Sequence, residues 1–317
     1  MESKNTNIVY EGVFKHQLVF SMATLSRILK REIHGILAIR YPRLDTVKIV
    51  FLKPSIKPYE EPIINDLFVE EVFTVKNSLT KKVEVKVLTR AKVVSFDIWG
   101  TLLDLNKFYD LVSKHLSNIT NRDYQEVREN MGKAYHSALE ARLKGLFKRP
   151  VYDSAVFFSQ KLGVEVDDLF KAVVSTIYDK KLGELPYSDS LKTLEELKRR
   201  GYIIALLGNV MFWPGMITRA VLHKCGLLQY VDITLFGDEI GVQKPDKAVF
   251  EELAHRANVE LNEIIHVGDS LINDFAGALL AGVNAVLLVR RLGIGIIEIS
   301  GKAYVVNSLI HLLDLLL

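Results

Sequence analysis

Apolar residues along this chain recur with two periods, and the places where one gives way to the other divide it into parts. Residues 7–19 alternate apolar and polar side chains and predict one or two strands. Residues 22–38 place Leu25, Ile28, Leu29, Ile33, Ile36 and Leu37 on one helical stripe behind a candidate N-cap at Ser21, and Tyr41 and Pro42 end that helix. Further strands are predicted over 47–52, 67–75 and 83–88, the last alternating Val83, Val85 and Val87 with Glu84 and Lys86. Residues 1–90 thus read as a small α+β module without a cluster of His, Cys or acidic residues.

A short apolar run at 93–96 then predicts a strand buried on both faces and ending at Asp97. Over 105–186 the period is helical throughout: Phe108, Leu111, Val112 and Leu116 form one stripe, Val127, Met131, Tyr135, Leu139 and Leu143 another, and 154–162 and 166–182 continue it. This segment is an all-helical insertion of about four helices. From 187 onward buried strands (202–207, 233–236, 264–267, 285–289, 304–306) alternate with amphipathic helices (191–199, 218–223, 248–257, 276–281, 309–317). That succession, joined to 91–104, predicts an α/β fold with a doubly wound parallel sheet.

Composition narrows the functional classes. The chain has 317 residues, 49% of them hydrophobic and 25% charged, enough for a sizeable core in two or three domains. A net charge of +3 from 41 basic and 38 acidic residues supplies no field that favours nucleic acid or an anionic membrane. The single cysteine, Cys225, rules out an internal disulfide framework, and no stretch is long enough to span a bilayer. The expectation is a cytoplasmic protein acting on a small anionic molecule.

The candidate chemistry lies at the strand ends. In open parallel sheets ligands bind at the carboxyl edge, and this sequence puts Asp97, Asn209, Lys244 and Asp269 there. Gly100 allows close approach of the backbone to a ligand, and Thr101 adds a hydroxyl and an amide before the next helix. Taken singly, each is equally readable as a helix cap, a turn or a surface charge. Together, two carboxylates beside a lysine suit a hard cation and an anionic substrate, with Asp97 and Asp269 as Mg²⁺ ligands and Lys244 offsetting negative charge. Arg142, Lys144, Lys148 and Arg149, near a break at Gly145, either face such a substrate or form a solvated helix surface.

The motifs Asp97-Ile-Trp-Gly-Thr-Leu102, Gly208-Asn209, Lys244-Pro245 and His266-Val-Gly-Asp-Ser-Leu-Ile-Asn-Asp274 together resemble those of the haloacid dehalogenase superfamily of aspartyl-nucleophile hydrolases. The resemblance covers 92–317 and leaves the N-terminal module outside it. It implies a Rossmann-like catalytic core at 91–104 and 187–317, with 105–186 as the α-helical cap that selects substrates. It also implies Asp97 as nucleophile and metal ligand, the Trp99 carbonyl, Asp269 and Asp274 completing the Mg²⁺ site, Lys244 steadying the nucleophile, and Gly100, Thr101, Gly208, Asn209 and Lys244 meeting the substrate. Two positions depart from the family pattern. Trp99 stands where phosphatases carry a second aspartate that protonates the leaving group, and Gly208 stands where a serine or threonine is usual. The resemblance therefore implies a Mg²⁺-dependent phosphohydrolase working through an aspartyl-phosphate. Its alternatives are a metal-free 2-haloacid dehalogenase, in which an aromatic residue also replaces the second aspartate, and a binding protein that has kept the fold. Three roles stay open to the N-terminal module: adding strands to the core sheet, forming a dimer, and binding a partner.

Overall fold

The computed structural model describes residues 37–40, 46–54, 67–76, 91–143, 145–291, 295–300 and 302–316. Its contacts divide the chain into two units, residues 1–86 with 296–305 and residues 87–295 with 306–317.

In the first unit β1 (Leu37–Arg40), β2 (Thr46–Pro54) and β3 (Leu67–Lys76) form an antiparallel sheet in that order. Leu37 pairs with Phe51, and the β2–β3 register slips by one residue between Phe51 and Leu52. Two predicted strands are present here with longer bounds. Leu37 and Ala38, read as the end of a helix, instead open β1, because pairing with the β-branched run of β2 outweighs the local helical spacing. The rest of that predicted helix, and the strands predicted over 7–19 and 83–88, lie outside the described residues.

The second unit is an α/β layer structure. Its strands β4 (Val93–Phe96), β5 (Ile203–Gly208), β6 (Ile233–Phe236), β7 (Ile264–Gly268) and β8 (Asn284–Leu288) lie parallel in the order β6-β5-β4-β7-β8. Strand β4 is central and buried along its whole length, as its apolar run demands. Phe96 is level with Leu206 on one side and Val267 on the other, so Asp97 emerges between the ends of β5 and β7. Two further strands come next in the chain, β9 (Ile296–Ser300), which belongs to the first unit's residues, and β10 (Ala303–Val306), of which all but the last residue does; β9 has no counterpart in the sequence reading.

Between β4 and β5 run four helices: α1 (Leu105–Thr120), α2 (Tyr124–Leu143), α3 (Pro150–Leu162) and α4 (Val166–Ile177). Helix α1 starts where Asp104 accepts from the amides of Asn106 and Lys107, worth about 1 kcal/mol for such a cap. It ends on Asn121 in the left-handed conformation. Its buried stripe of Phe108, Leu111, Val112 and Leu116 packs against α4 through Leu169, Ala172 and Val173. At about 1.5–3 kcal/mol for each large apolar side chain buried, this interface outweighs any single cap. A fifth helix, α5 (Ser190–Arg199), also precedes β5, and α6 (Gly215–Lys224), α7 (Gly237–Ile240), α8 (Lys247–Ala257) and α9 (Gly277–Ala281) follow it. No helix among the described residues is long and apolar enough to cross a membrane.

Candidate active site

Every strand edge singled out in the sequence contributes to one cluster. Lys244 is the hub: its Nζ lies 2.8 Å from Asp97 Oδ1 and 2.7 Å from Asp274 Oδ1, with only 1% of its side chain exposed. The ammonium holds its proton although burial opposes the charge, because the two carboxylates outweigh burial and raise its pKa. Asn209 fixes the backbone behind it, its Nδ2 donating to the Lys244 carbonyl and its Oδ1 accepting from the Lys244 amide, both at 2.8 Å.

Asp269 completes the group. Oxygen atoms of Asp97, Asp269 and Asp274 all lie within 4.8 Å of one another. Gly100 makes that approach workable: its φ is +93°, and a Cβ there would lie 2.3 Å from Asp269 Oδ2. The crowding appears in the acidities. Burial, with Asp274 adding to it against the pull of Lys244, pushes Asp97 up to about 6. Solvent reaches Asp269, yet protein hems it in, and that enclosure together with the charges of Asp97 and Asp274 lifts its pKa well above the carboxylate range. Asp274 goes the other way: burial would raise it, but Lys244 and His266 hold it below the ordinary value.

Asp274 is also clamped from behind. It accepts from the Ser270 amide at 2.9 Å and lies 3.2 Å from His266 Nε2, while His266 Nδ1 lies 2.8 Å from Ser95 Oγ. A carboxylate only accepts, so Nε2 carries the imidazole proton and Nδ1 accepts from the serine hydroxyl. Burial holds His266 down to about 4, hence neutral at ordinary pH. The wide turn that brings Asp274 back is a π-helical segment, Leu271–Ala276, where the sequence predicted ordinary helix only from 276.

The other predicted site residues are placed as follows. The Trp99 indole turns into an aromatic wall, 4.7 Å from the Phe108 ring and edge-on to Trp213 at 5.7 Å, and its N–H donates to Thr218 Oγ1 at 3.3 Å. Trp213 donates to the same oxygen at 3.0 Å. Gly208 lies where any side chain would strike the Phe236 ring, 2.6 Å from a Cβ, so packing accounts for the missing hydroxyl residue. Thr101 is fully buried, and its Oγ1 has no hydrogen-bond partner among the described residues. Its carbonyl accepts from Arg290 at 2.7 Å.

The sequence profile of the haloacid dehalogenase-like hydrolases matches residues 91–282, more than half of the chain. The chain belongs to that family. This family member is similar to the glyceraldehyde 3-phosphate phosphatase of Methanothermobacter thermautotrophicus, 26% identical over 213 residues that cover 62% of this chain and 85% of that protein. It is also similar to the ribulose-1,5-bisphosphate 5-phosphatase of Halopiger xanaduensis, 37% identical over 99 residues, 31% of this chain and 40% of that protein's length. Among solved structures, the HAD-hydrolase YfnB of Bacillus subtilis shares the fold, with a TM-score of 0.59 at 18% identity over 72% of this chain and 99% of that one.

Within this hydrolase, sequence reasoning passed over Ser95 and the hydroxyl of Tyr135, and took His266 for a packed or hydrogen-bonded core residue, which is how it sits. Ser95 and His266 are polar residues inside apolar strands, level with each other on adjacent strands; the interruption of two buried runs was the available signal. Tyr135 was read only as part of an apolar stripe. Its hydroxyl feels the charges of Asp269, Asp97 and Asp274, which with burial as the largest cause and Arg142 opposing push it up to about 12. Its spacing of seven residues from Arg142, two helical turns, was the readable sign that both share one face of α2.

Proposed function

We propose that this hydrolase is a Mg²⁺-dependent phosphohydrolase of small phosphate esters, with Asp97 as the nucleophile that carries the phosphoryl group. The observation that supports this best is the charge balance of the cluster. When all three carboxylates are ionised, they leave two negative charges against the single ammonium of Lys244, which one hard dication offsets; without it Asp97 and Asp269 resist ionising. The donor set fits such an ion: all oxygens, and close together. Asp97 and Asp269 would hold it, with Asp274 steadied behind them by Lys244, His266 and Ser270. Bound there, the ion would supply charge neutralisation for the oxygens of the transferring group.

The chain's own residues do the rest. An Asp97 carboxylate oxygen attacks phosphorus, the bond from phosphorus to the leaving oxygen breaks, and the leaving group departs with the electron pair. Lys244 offsets the charge that builds on the phosphoryl oxygens, and Asn209 keeps it in position. Water then attacks phosphorus in the aspartyl-phosphate, releasing inorganic phosphate and restoring Asp97. The side chain at 99 donates nothing to the leaving oxygen, since its only N–H is committed to Thr218. General acid catalysis is typically worth about 10²–10⁴ in rate, so acyl and aryl phosphates, which leave without a proton, are expected to turn over faster than alkyl phosphates by a factor of that order. The phosphatase relatives support a phosphate substrate, while the aromatic residue at 99 and a likeness to the (S)-2-haloacid dehalogenase 4A of Burkholderia cepacia, 32% identical over 130 residues, favour the dehalogenase alternative.

The test is release of phosphate from aryl, acyl and alkyl phosphates with Mg²⁺ or a chelator, beside halide release from a 2-haloacid. Phosphate release that needs Mg²⁺ and disappears in Asp97→Asn is the expected result. Halide release in chelator overturns the proposal in favour of a dehalogenase.

A further inference from the structure

Arg142 lies in the last turn of α2, near enough to the cluster for the charges of Asp97 and Asp274 to act on it. Its Nη1 lies 3.5 Å from the carbonyl of Val210, one residue beyond Asn209, a contact at the outer limit of hydrogen bonding. Eight other arginines of the described residues hold a carboxylate. Arg142 holds none among the described residues, although protein encloses much of it: burial pulls its pKa down, while Tyr135, Asp97, Tyr109 and Asp274 pull it back up. A guanidinium stays charged under such conditions, so its fork of donors is left unmatched beside the catalytic carboxylates without reaching any of them. The transferring phosphoryl group has Lys244 and the carboxylate-bound ion to meet it. What Arg142 lacks is an anion of its own.

We propose that Arg142 binds a second anionic group on the substrate, so that the enzyme acts on small phosphate esters that also carry a carboxylate or another phosphate. This rests on the phosphohydrolase reading for the reaction but not for the binding. The matched probes are 3-phosphoglycerate and glycerol 3-phosphate, which share phosphate and carbon skeleton and differ in the carboxylate. Calorimetric binding is measured in Mg²⁺ on Asp97→Asn protein, with Arg142 intact or changed to Ala or Lys. One charge-assisted pair is worth about tenfold to a hundredfold in affinity. The expected result is tighter binding of 3-phosphoglycerate than of glycerol 3-phosphate, with Arg142→Ala shrinking that ratio at least tenfold. Arg142→Lys keeps the charge without the fork and should restore part of the ratio. It also stands in if Arg142→Ala does not fold.

Equal weakening of both ligands overturns the proposal by assigning Arg142 to the transferring phosphate. An unchanged ratio, or no binding of 3-phosphoglycerate at all, overturns it as well. If the ratio depends on Arg142 while the native protein releases phosphate from no ester, the binding role stands and the phosphohydrolase reading falls.

Discussion

Asp97→Asn should make the protein more stable while abolishing its activity. The side chain is 15% exposed, and its carboxyl titrates at about 6 instead of 3.8, with burial as the main cause. The folded state therefore holds this proton more tightly than the unfolded chain does. Ionising the group costs the fold nothing below pH 3.8, progressively more as pH rises, and the full amount above about 6. Linkage puts that cost at about 3 kcal/mol at pH 7.5 and about 1.6 kcal/mol at pH 5. Asparagine removes the charge and keeps an oxygen for Lys244 to donate to. For a unit of this size each kilocalorie moves Tm by about 2–4 °C, so scanning calorimetry in chelator should show a rise of about 6–12 °C at pH 7.5 and about half of that at pH 5. Mg²⁺ should narrow the gap by stabilising the native protein more than Asp97→Asn, which keeps Asp269 and Asp274 but has one carboxylate fewer for the ion. A lower Tm for Asp97→Asn at pH 7.5, or a gain that does not shrink at pH 5, would refute the account of a nucleophile held ionised against its surroundings.

Two further outcomes follow from the same cluster. His266, lowered to about 4 by burial, contributes stability that is fully present above its ordinary pKa of 6.5 and is lost as pH falls towards 4; denaturant unfolding of His266→Gln should lack about 2 kcal/mol of the native protein's decline between pH 7 and 5. Gly100→Ala adds a Cβ in left-handed backbone 2.3 Å from Asp269 Oδ2, so it should cost about 1–2 kcal/mol in chelator and reduce the rise in Tm produced by Mg²⁺.

Much of the site was legible because a parallel sheet turns sequence order into position. Once 93–96, 203–208 and 264–268 are recognised as buried runs, the residues just past them must meet at one edge, and Asp97, Asn209 and Asp269 do. Lys244 was read at the same edge, past the end of 233–236, but its seat as the hub was not legible. Its place depends on the loop after α7 and on the two hydrogen bonds from Asn209, which no local pattern encodes. The link from Asp274 through His266 to Ser95 required the register of β4 against β7, which apolar runs leave undetermined. Leu37 and Ala38 were misread for a related reason: a helical stripe and a short strand of β-branched residues look alike until the pairing partner is known. Strand β9 was missed because the glycines at 293 and 295 punctuate the sequence just before it.

Trp99 joins the legible and the illegible parts. The sequence shows that a carboxylate is missing from this position, yet only the structure shows what the indole does there. It fills the seam between α1 and the loop after β5, packed on Phe108 and Trp213, with Thr218 accepting from both tryptophans. A carboxylate in its place would lose that packing and add a fourth negative charge to a cluster in which Asp97 and Asp269 already resist ionising. The wall of aromatic rings and the missing acid are thus one arrangement. On the proposed phosphohydrolase reading it would exchange about 10²–10⁴ of general acid catalysis for the packing of the helical insertion on Trp213, an exchange tolerable for a leaving group that needs no proton.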